Sequence, residues 1–155
     1  MIEIERKFLV TSEAFISESI NNYRIVQGFL NTNPNRTVRI RIQREKAFIT
    51  VKGIGNSSGI SRFEWEKEIT RNDAAQLLKI CEPGVIEKIR FEIPSGKHTI
   101  EVDQFLGENN GLILAEIELT DENEPFVSPD WLGKEVTGDP KYYNSQLSKT
   151  PYATW

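Results

Sequence analysis

Apolar and polar residues alternate with a period of two along most of this chain, and few architectures accept that pattern so often. It runs through Ile2–Val10, Tyr23–Leu30, Thr37–Gln43, Ala47–Lys52, Arg62–Ile69, Ile86–Ile93, Thr99–Phe105 and Leu112–Leu119, with a shorter ninth stretch at Glu135–Thr137. Each segment reads as a strand with one apolar and one polar face. The connections carry turn chemistry: Gly53–Ser61 is rich in Gly and Ser and predicts a flexible hairpin loop, Pro94–Lys97 reads P-S-G-K, and Asn110-Gly111 is a tight-turn pair. Two or three short helices are expected. One is capped by Thr11 or Ser12 and runs to about Asn21. A second, Asp73–Cys81, is capped by Thr70 or Asn72 and stopped by Pro83-Gly84, and a third covers Lys141–Lys149. At 155 residues the chain predicts one domain, 1–155. The expected class is α+β, mainly antiparallel β: an eight-stranded closed β-barrel with a few helices packed outside, because closure leaves no exposed strand edge.

The charges on the polar faces are sorted by sign. Glu3, Glu5 and Lys7 share one face of the first strand, opposite Ile2, Ile4 and Phe8. Arg39 and Arg41 share a face, Lys88 and Arg90 another, and Lys52 follows Thr50. Arg62, Glu64 and Glu66 line up ahead of Phe63 and Trp65, while Glu101 pairs with Asp103 and Glu116 with Glu118. Solvated strand faces usually mix signs and neutral polar residues. Like-charged doublets repel, so each weakens the fold unless an opposite charge faces it. These rows therefore predict a ligand-binding lumen. Acid pairs offer hard oxygen ligands to Mg²⁺ or Mn²⁺, and Arg pairs offer forked donors to phosphate oxygens. A lumen lined by both signs suits an anion that arrives with a cation, as a metal-bound polyphosphate does.

Composition narrows the classes. A formal net charge of −4 argues against a general nucleic-acid or membrane-surface partner. Cys81 is the single cysteine, so no internal disulfide forms, and the first ten residues, MIEIERKFLV, lack the apolar run of a signal or membrane span. A cytoplasmic location follows as the expectation, and a homodimer is compatible with the sequence. His98 reads as an exposed turn histidine, Cys81 as a small core residue, and Trp65, Trp131 and Trp155 as packing residues.

The ordered motifs E-I-E-R-K at Glu3–Lys7, Arg39-Ile40-Arg41, Val51-Lys52-Gly53, Arg62-Phe63-Glu64-Trp65-Glu66, Lys88-Ile89-Arg90, Glu101-Val102-Asp103 and Glu116-Ile117-Glu118 resemble the CYTH superfamily, the triphosphate tunnel metalloenzymes. The resemblance spans nearly the whole chain and implies metal-dependent hydrolysis of inorganic tripolyphosphate or of a nucleoside or other organic triphosphate. It implies metal binding by Glu3, Glu5 and Glu118 with Glu116 and Asp103 nearby. It further implies phosphate binding by Lys7, Arg39, Arg41, Lys52, Lys88 and Arg90, and catalytic roles for Lys88, Glu64 and Glu66. A class IV-type adenylyl cyclase and a non-catalytic polyphosphate- or nucleotide-binding module are the alternatives. One position departs from the pattern. In short bacterial tripolyphosphatases a tyrosine after a Gln-Gly pair works with the lysine of the K-x-R strand, and here Gln27-Gly28 is followed by Phe29. Tyr23 shares that parity but lies roughly 20 Å along the strand. The change gives a nucleotide triphosphate more weight as substrate.

Overall fold

In the computed structural model, which describes residues 1–155, the alternating segments form nine strands. They are β1 (Ile2–Val10), β2 (Asn21–Asn31), β3 (Arg36–Gln43), β4 (Lys46–Gly55), β5 (Ser61–Ile69), β6 (Ile86–Ser95), β7 (His98–Phe105), β8 (Ile113–Glu118) and β9 (Leu132–Glu135). Eight of them pair antiparallel in the ring β1-β5-β4-β3-β2-β6-β7-β8, and β8 returns to β1 to close the barrel. β1 is the seam. Its first residues pair with β5 (Ile2↔Phe63, Glu3↔Arg62), and beyond the point where β5 departs the same edge is taken by β9 (Phe8↔Glu135, Val10↔Leu132). The ninth strand therefore lies slightly before the expected Glu135–Thr137.

Period two assigns each side chain to the lumen or the outer wall, and the largest apolar cluster is outside. Phe8, Phe91, Ile93, Ile100, Val102, Ala115 and Ile117, from β1, β6, β7 and β8, pack under Phe15 and Trp131. On the opposite side α2 (Arg71–Leu78) covers β2, β3 and β4 through Ala74, Leu77 and Leu78, with Cys81 just beyond it. Thr70 caps this helix by accepting from the Asp73 amide at 3.0 Å. Helix and sheet approach so closely that a Cβ on Gly28 would stand 3.0 Å from the Cys81 sulfur. No helix is long and apolar enough to cross a membrane.

The first expected helix shrinks to α1 (Phe15–Glu18). Ile20 already bonds through its amide to the Glu92 carbonyl and β2 begins at Asn21, so strand pairing claims residues the helix would need. Only Phe15 of that segment is buried, which leaves no apolar face to hold a longer helix. The third helix divides into a 3-10 turn at Pro140–Tyr142 and α3 (Asn144–Leu147), separated by extended backbone at Tyr143. The β4–β5 hairpin, expected to be a flexible loop, is fastened: Asn56 and Ser58 both donate to the Glu122 carboxylate, at 3.1 and 2.9 Å. Its Gly59 meets Gly138 so closely that a Cβ on Gly59 would stand 2.4 Å from the Gly138 Cα. His98 is not an exposed turn residue either. Its side chain is largely buried and bonds Glu124, tying the β6–β7 hairpin to the segment before β9.

One end of the lumen is apolar. Phe29, Ile86, Phe105 and Leu114 continue the inward-facing rows that begin with charged residues, and Leu147 of α3 closes on them with Leu112. Apart from Ile25 of β2, which stands opposite Lys88 and Gln43, the remaining length of the interior is largely polar.

Candidate active site

Above that apolar floor lies a cavity of about 230 Å³ lined almost entirely by charged and polar side chains. β1 contributes Glu3, Glu5 and Lys7; β3 Arg39 and Arg41; β4 Lys52; and β5 Arg62, Glu64 and Glu66. β6 adds Lys88 and Arg90, and β8 adds Glu116 and Glu118. Strand parity aims each of these inward, and closure brings them together. A second space of about 420 Å³ adjoins the cavity under the β4–β5 hairpin; its charged lining residues, Glu3, Glu5, Lys7 and Arg62, are all shared with the first.

Asp103, expected near the metal, is 1% exposed and is not part of the cavity lining. Its carboxylate accepts from Arg90 Nε and Nη2 at 2.7 and 2.8 Å and meets Lys88 Nζ at 2.7 Å. Both oxygens face cations, so Asp103 is the counter-ion beneath the K-x-R pair. Arg90 also reaches Glu101 at 3.2 Å and Glu116 at 3.4 Å, which saturates the guanidinium and holds its pKa well above the usual arginine value despite burial. Burial outweighs Asp103 at Lys88 and pushes its ammonium down to about 8. Lys88 also donates to Asn144 Oδ1 at 3.0 Å. Phe29, part of the apolar floor, supplies no oxygen to this lysine.

Across the lumen, Arg39 and Arg41 share one exposed-edge partner. Arg39 Nη2 is 3.4 Å and Arg41 Nη2 3.6 Å from the same oxygen of Glu66, which also accepts from Thr50 at 2.7 Å. The Nε atoms of both arginines are buried without any acceptor. Burial, reinforced by Arg41, lowers Arg39 to about 10.

The acids gather near the seam. Oxygens of Glu3, Glu64 and Glu118 lie within 4.8 Å of one another. Burial opposes ionisation of Glu3, yet Lys52 at 2.8 Å and Arg62 at 3.2 Å hold it down to about 2. Glu64 and Glu118 are raised, first by burial and also by the Glu3 charge. Glu5 and Glu116 stand outside this triplet and are shifted in opposite directions. Burial and Glu116 push Glu5 well up, while Lys7 and Arg90 overcome burial to keep Glu116 ionised.

The C-terminal segment brings residues that strand periodicity did not point to. Tyr143, Asn144 and Ser145 line the cavity, and Lys7 Nζ donates to the Tyr142 carbonyl at 3.2 Å. No alternation marks this stretch; its local signals are the helical pattern over Lys141–Lys149 and the Asp139-Pro140 turn, where Asp139 accepts from the Lys141 amide.

The whole arrangement has relatives. Residues 1–152 match the CYTH domain family. An inorganic triphosphatase of Acetivibrio thermocellus is 49% identical over 152 residues, which is 97% of this chain and 95% of that protein. One from Nitrosomonas europaea is 34% identical over 154 residues, 96% and 97% of the two chains. A solved structure described as an inorganic triphosphatase superposes with a TM-score of 0.66 at 30% identity, covering 94% of this chain and 93% of that one.

Proposed function

The chain belongs to the CYTH domain family, and on that premise we propose that it is a divalent-metal-dependent triphosphatase that hydrolyses tripolyphosphate or an organic triphosphate in its lumen. The observation that carries this reading is the convergence of Lys7, Arg39, Arg41, Lys52, Lys88 and Arg90 on one cavity that Glu3, Glu5, Glu64 and Glu118 also line. Cations gathered in a closed polar space call for an anionic ligand, and carboxylates beside them call for a cation that arrives with it. Phosphate oxygens match the forked guanidinium geometry of Arg39 and Arg41.

The acid triplet fits Mg²⁺ or Mn²⁺. Three carboxylates whose oxygens already lie within 4.8 Å can contract onto a hard cation, and added positive charge offsets the burial and the Glu3 charge that raise Glu64 and Glu118. Glu3, Glu64 and Glu118 would hold it, with Glu5 beside them. When bound, such an ion neutralises phosphate charge and polarises the oxygens it contacts.

The chain's own groups do the rest. Arg39, Arg41, Lys7 and Lys52 grip the phosphates, and Lys88 and Arg90 present cations whose positions Asp103 has fixed. Glu66, outside the acid triplet and held by Thr50, orders a water in line with the terminal phosphorus. The water oxygen bonds to phosphorus as the bridging P–O bond breaks, the electron pair leaves with the remaining phosphate chain, and the water's proton passes to the Glu66 carboxylate. Positioning and charge neutralisation supply most of the acceleration for this kind of reaction.

A phosphate-release panel of tripolyphosphate, ATP, GTP and thiamine triphosphate with Mg²⁺ and with Mn²⁺ tests the proposal. Release from at least one substrate, abolished by a chelator and restored by metal, is the expected result. No release from any of them by folded protein overturns it, and cyclic AMP in place of released phosphate from ATP assigns the site to cyclase chemistry.

A further inference from the structure

The floor of the charged cavity carries a neutral residue in a fixed orientation. Asn144 is the first residue of α3, delivered to the lumen by the extended backbone at Tyr143. Its Oδ1 accepts two hydrogen bonds, from Gln27 Nε2 at 2.8 Å and from Lys88 Nζ at 3.0 Å. Lysine only donates, so the oxygen rather than the nitrogen of this amide must face Lys88, and the assignment is settled by chemistry. Gln27 is fully buried and Lys88 is 2% exposed, so both donors are themselves immobile. The amide plane is therefore set, and Nδ2 is left on the other arm.

No protein group accepts from that Nδ2, and it is not among the atoms sealed from contact, while Asn144 lines the cavity. The helix that carries it does not behave as a loose lid. Lys7 Nζ holds the Tyr142 carbonyl, and the Tyr152 amide donates to Asn109 Oδ1 at 2.8 Å. Gly84, at φ 96°, packs so tightly under Ser148 that a Cβ there would lie 1.9 Å from its carbonyl oxygen.

We propose that Asn144 is a substrate-binding residue, its Nδ2 donating to a phosphate oxygen of the bound triphosphate while its Oδ1 holds Lys88 in place. A neutral amide meets both demands. Lys88 already has Asp103 as its counter-ion, and a further carboxylate at this point would add a negative charge facing the phosphates. The inference rests on the triphosphate reading of the lumen.

Asn144→Ala, made alone and in a Lys88→Met background, separates direct contact from action through the lysine. Affinity for tripolyphosphate with Mg²⁺ is read by titration calorimetry, so the answer does not require turnover, and KM and kcat are read alongside. Loss of one hydrogen bond to a charged group predicts about tenfold weaker binding and a raised KM in both backgrounds. Circular dichroism establishes that each variant is folded, and Lys88→Gln replaces Lys88→Met if the latter is not. Unchanged affinity in Asn144→Ala overturns the proposal. So does a loss that disappears in the Lys88→Met background, which would make Asn144 a positioning residue only. If the native protein binds tripolyphosphate but releases phosphate from no member of the panel, the hydrolase reading fails while this test still decides the contact. If the native protein does not bind tripolyphosphate, the same titration is made with the triphosphate it hydrolyses, and binding of none of the panel makes both fall.

Discussion

The β3 and β6 walls of the lumen each present two cations, and the two pairs are neutralised very differently. On β6, Lys88 and Arg90 clasp Asp103 at 2.7 Å, and Arg90 adds Glu101 and Glu116. On β3, Arg39 and Arg41 share a single Glu66 oxygen at 3.4 and 3.6 Å and leave their Nε atoms bare. A saturated buried cation is part of the framework, because removing its partner strands a charge in low dielectric. An under-neutralised one keeps capacity for a further anion, the role proposed above for the β3 pair. The β6 pair thus holds the wall's shape, and the β3 pair is where the lumen is readiest to accept an anion.

The contrast can be broken most forcefully at Asp103. Asp103→Ala leaves two buried cations facing each other, and denaturant unfolding should show a loss of about 3–5 kcal/mol. A small loss would mean the β6 pair is no better anchored than the β3 pair. Next in size is Arg41→Ala, which removes phosphate donors while relieving repulsion on Arg39. kcat/KM for the best triphosphate should fall about 10²–10³-fold with the unfolding midpoint unchanged or raised. A loss of stability without loss of activity would reverse the roles of the two walls.

The gentlest test is pH. Burial lowers Lys88 from 10.5 to about 8 in the folded protein, so between those values the unfolded chain binds the extra proton. Stability therefore carries its full penalty below pH 8 and improves as pH rises from about 8 toward 10.5. Arg39, lowered from 12.5 to about 10, adds the same trend only above pH 10. Unfolding curves collected across this range should show the earlier rise vanish in Lys88→Met and persist in Arg39→Met.

Much of this was legible beforehand. The uninterrupted alternation of β1 predicts it over its full length, and the sequence narrows the α2 cap to Thr70 or Asn72, of which Thr70 takes the role, because cap and helix start are neighbours in the chain. Expectations failed where distant contacts overrode local pattern. The first helix yielded to strand pairing at Ile20, and His98 was drawn inward by Glu124. Phe29, Ile86, Phe105 and Leu114 show the same limit from another side: parity aimed them into the lumen, but only the arrival of Leu147 makes them a floor.

The sequence by itself determined which wall-face each charge occupies, since successive strand residues point to opposite sides whatever lies across the sheet. Tertiary structure alone decided which charges touch. Whether Asp103 would serve a metal or two cations, and whether Asn144 would reach Lys88, depends on barrel closure and on a segment returning from far along the chain. The Lys7–Tyr142 bond spans 135 positions, and Asn144 reaches Lys88 across 56. Face is a property of local backbone geometry, whereas partnership is a property of the closed ring.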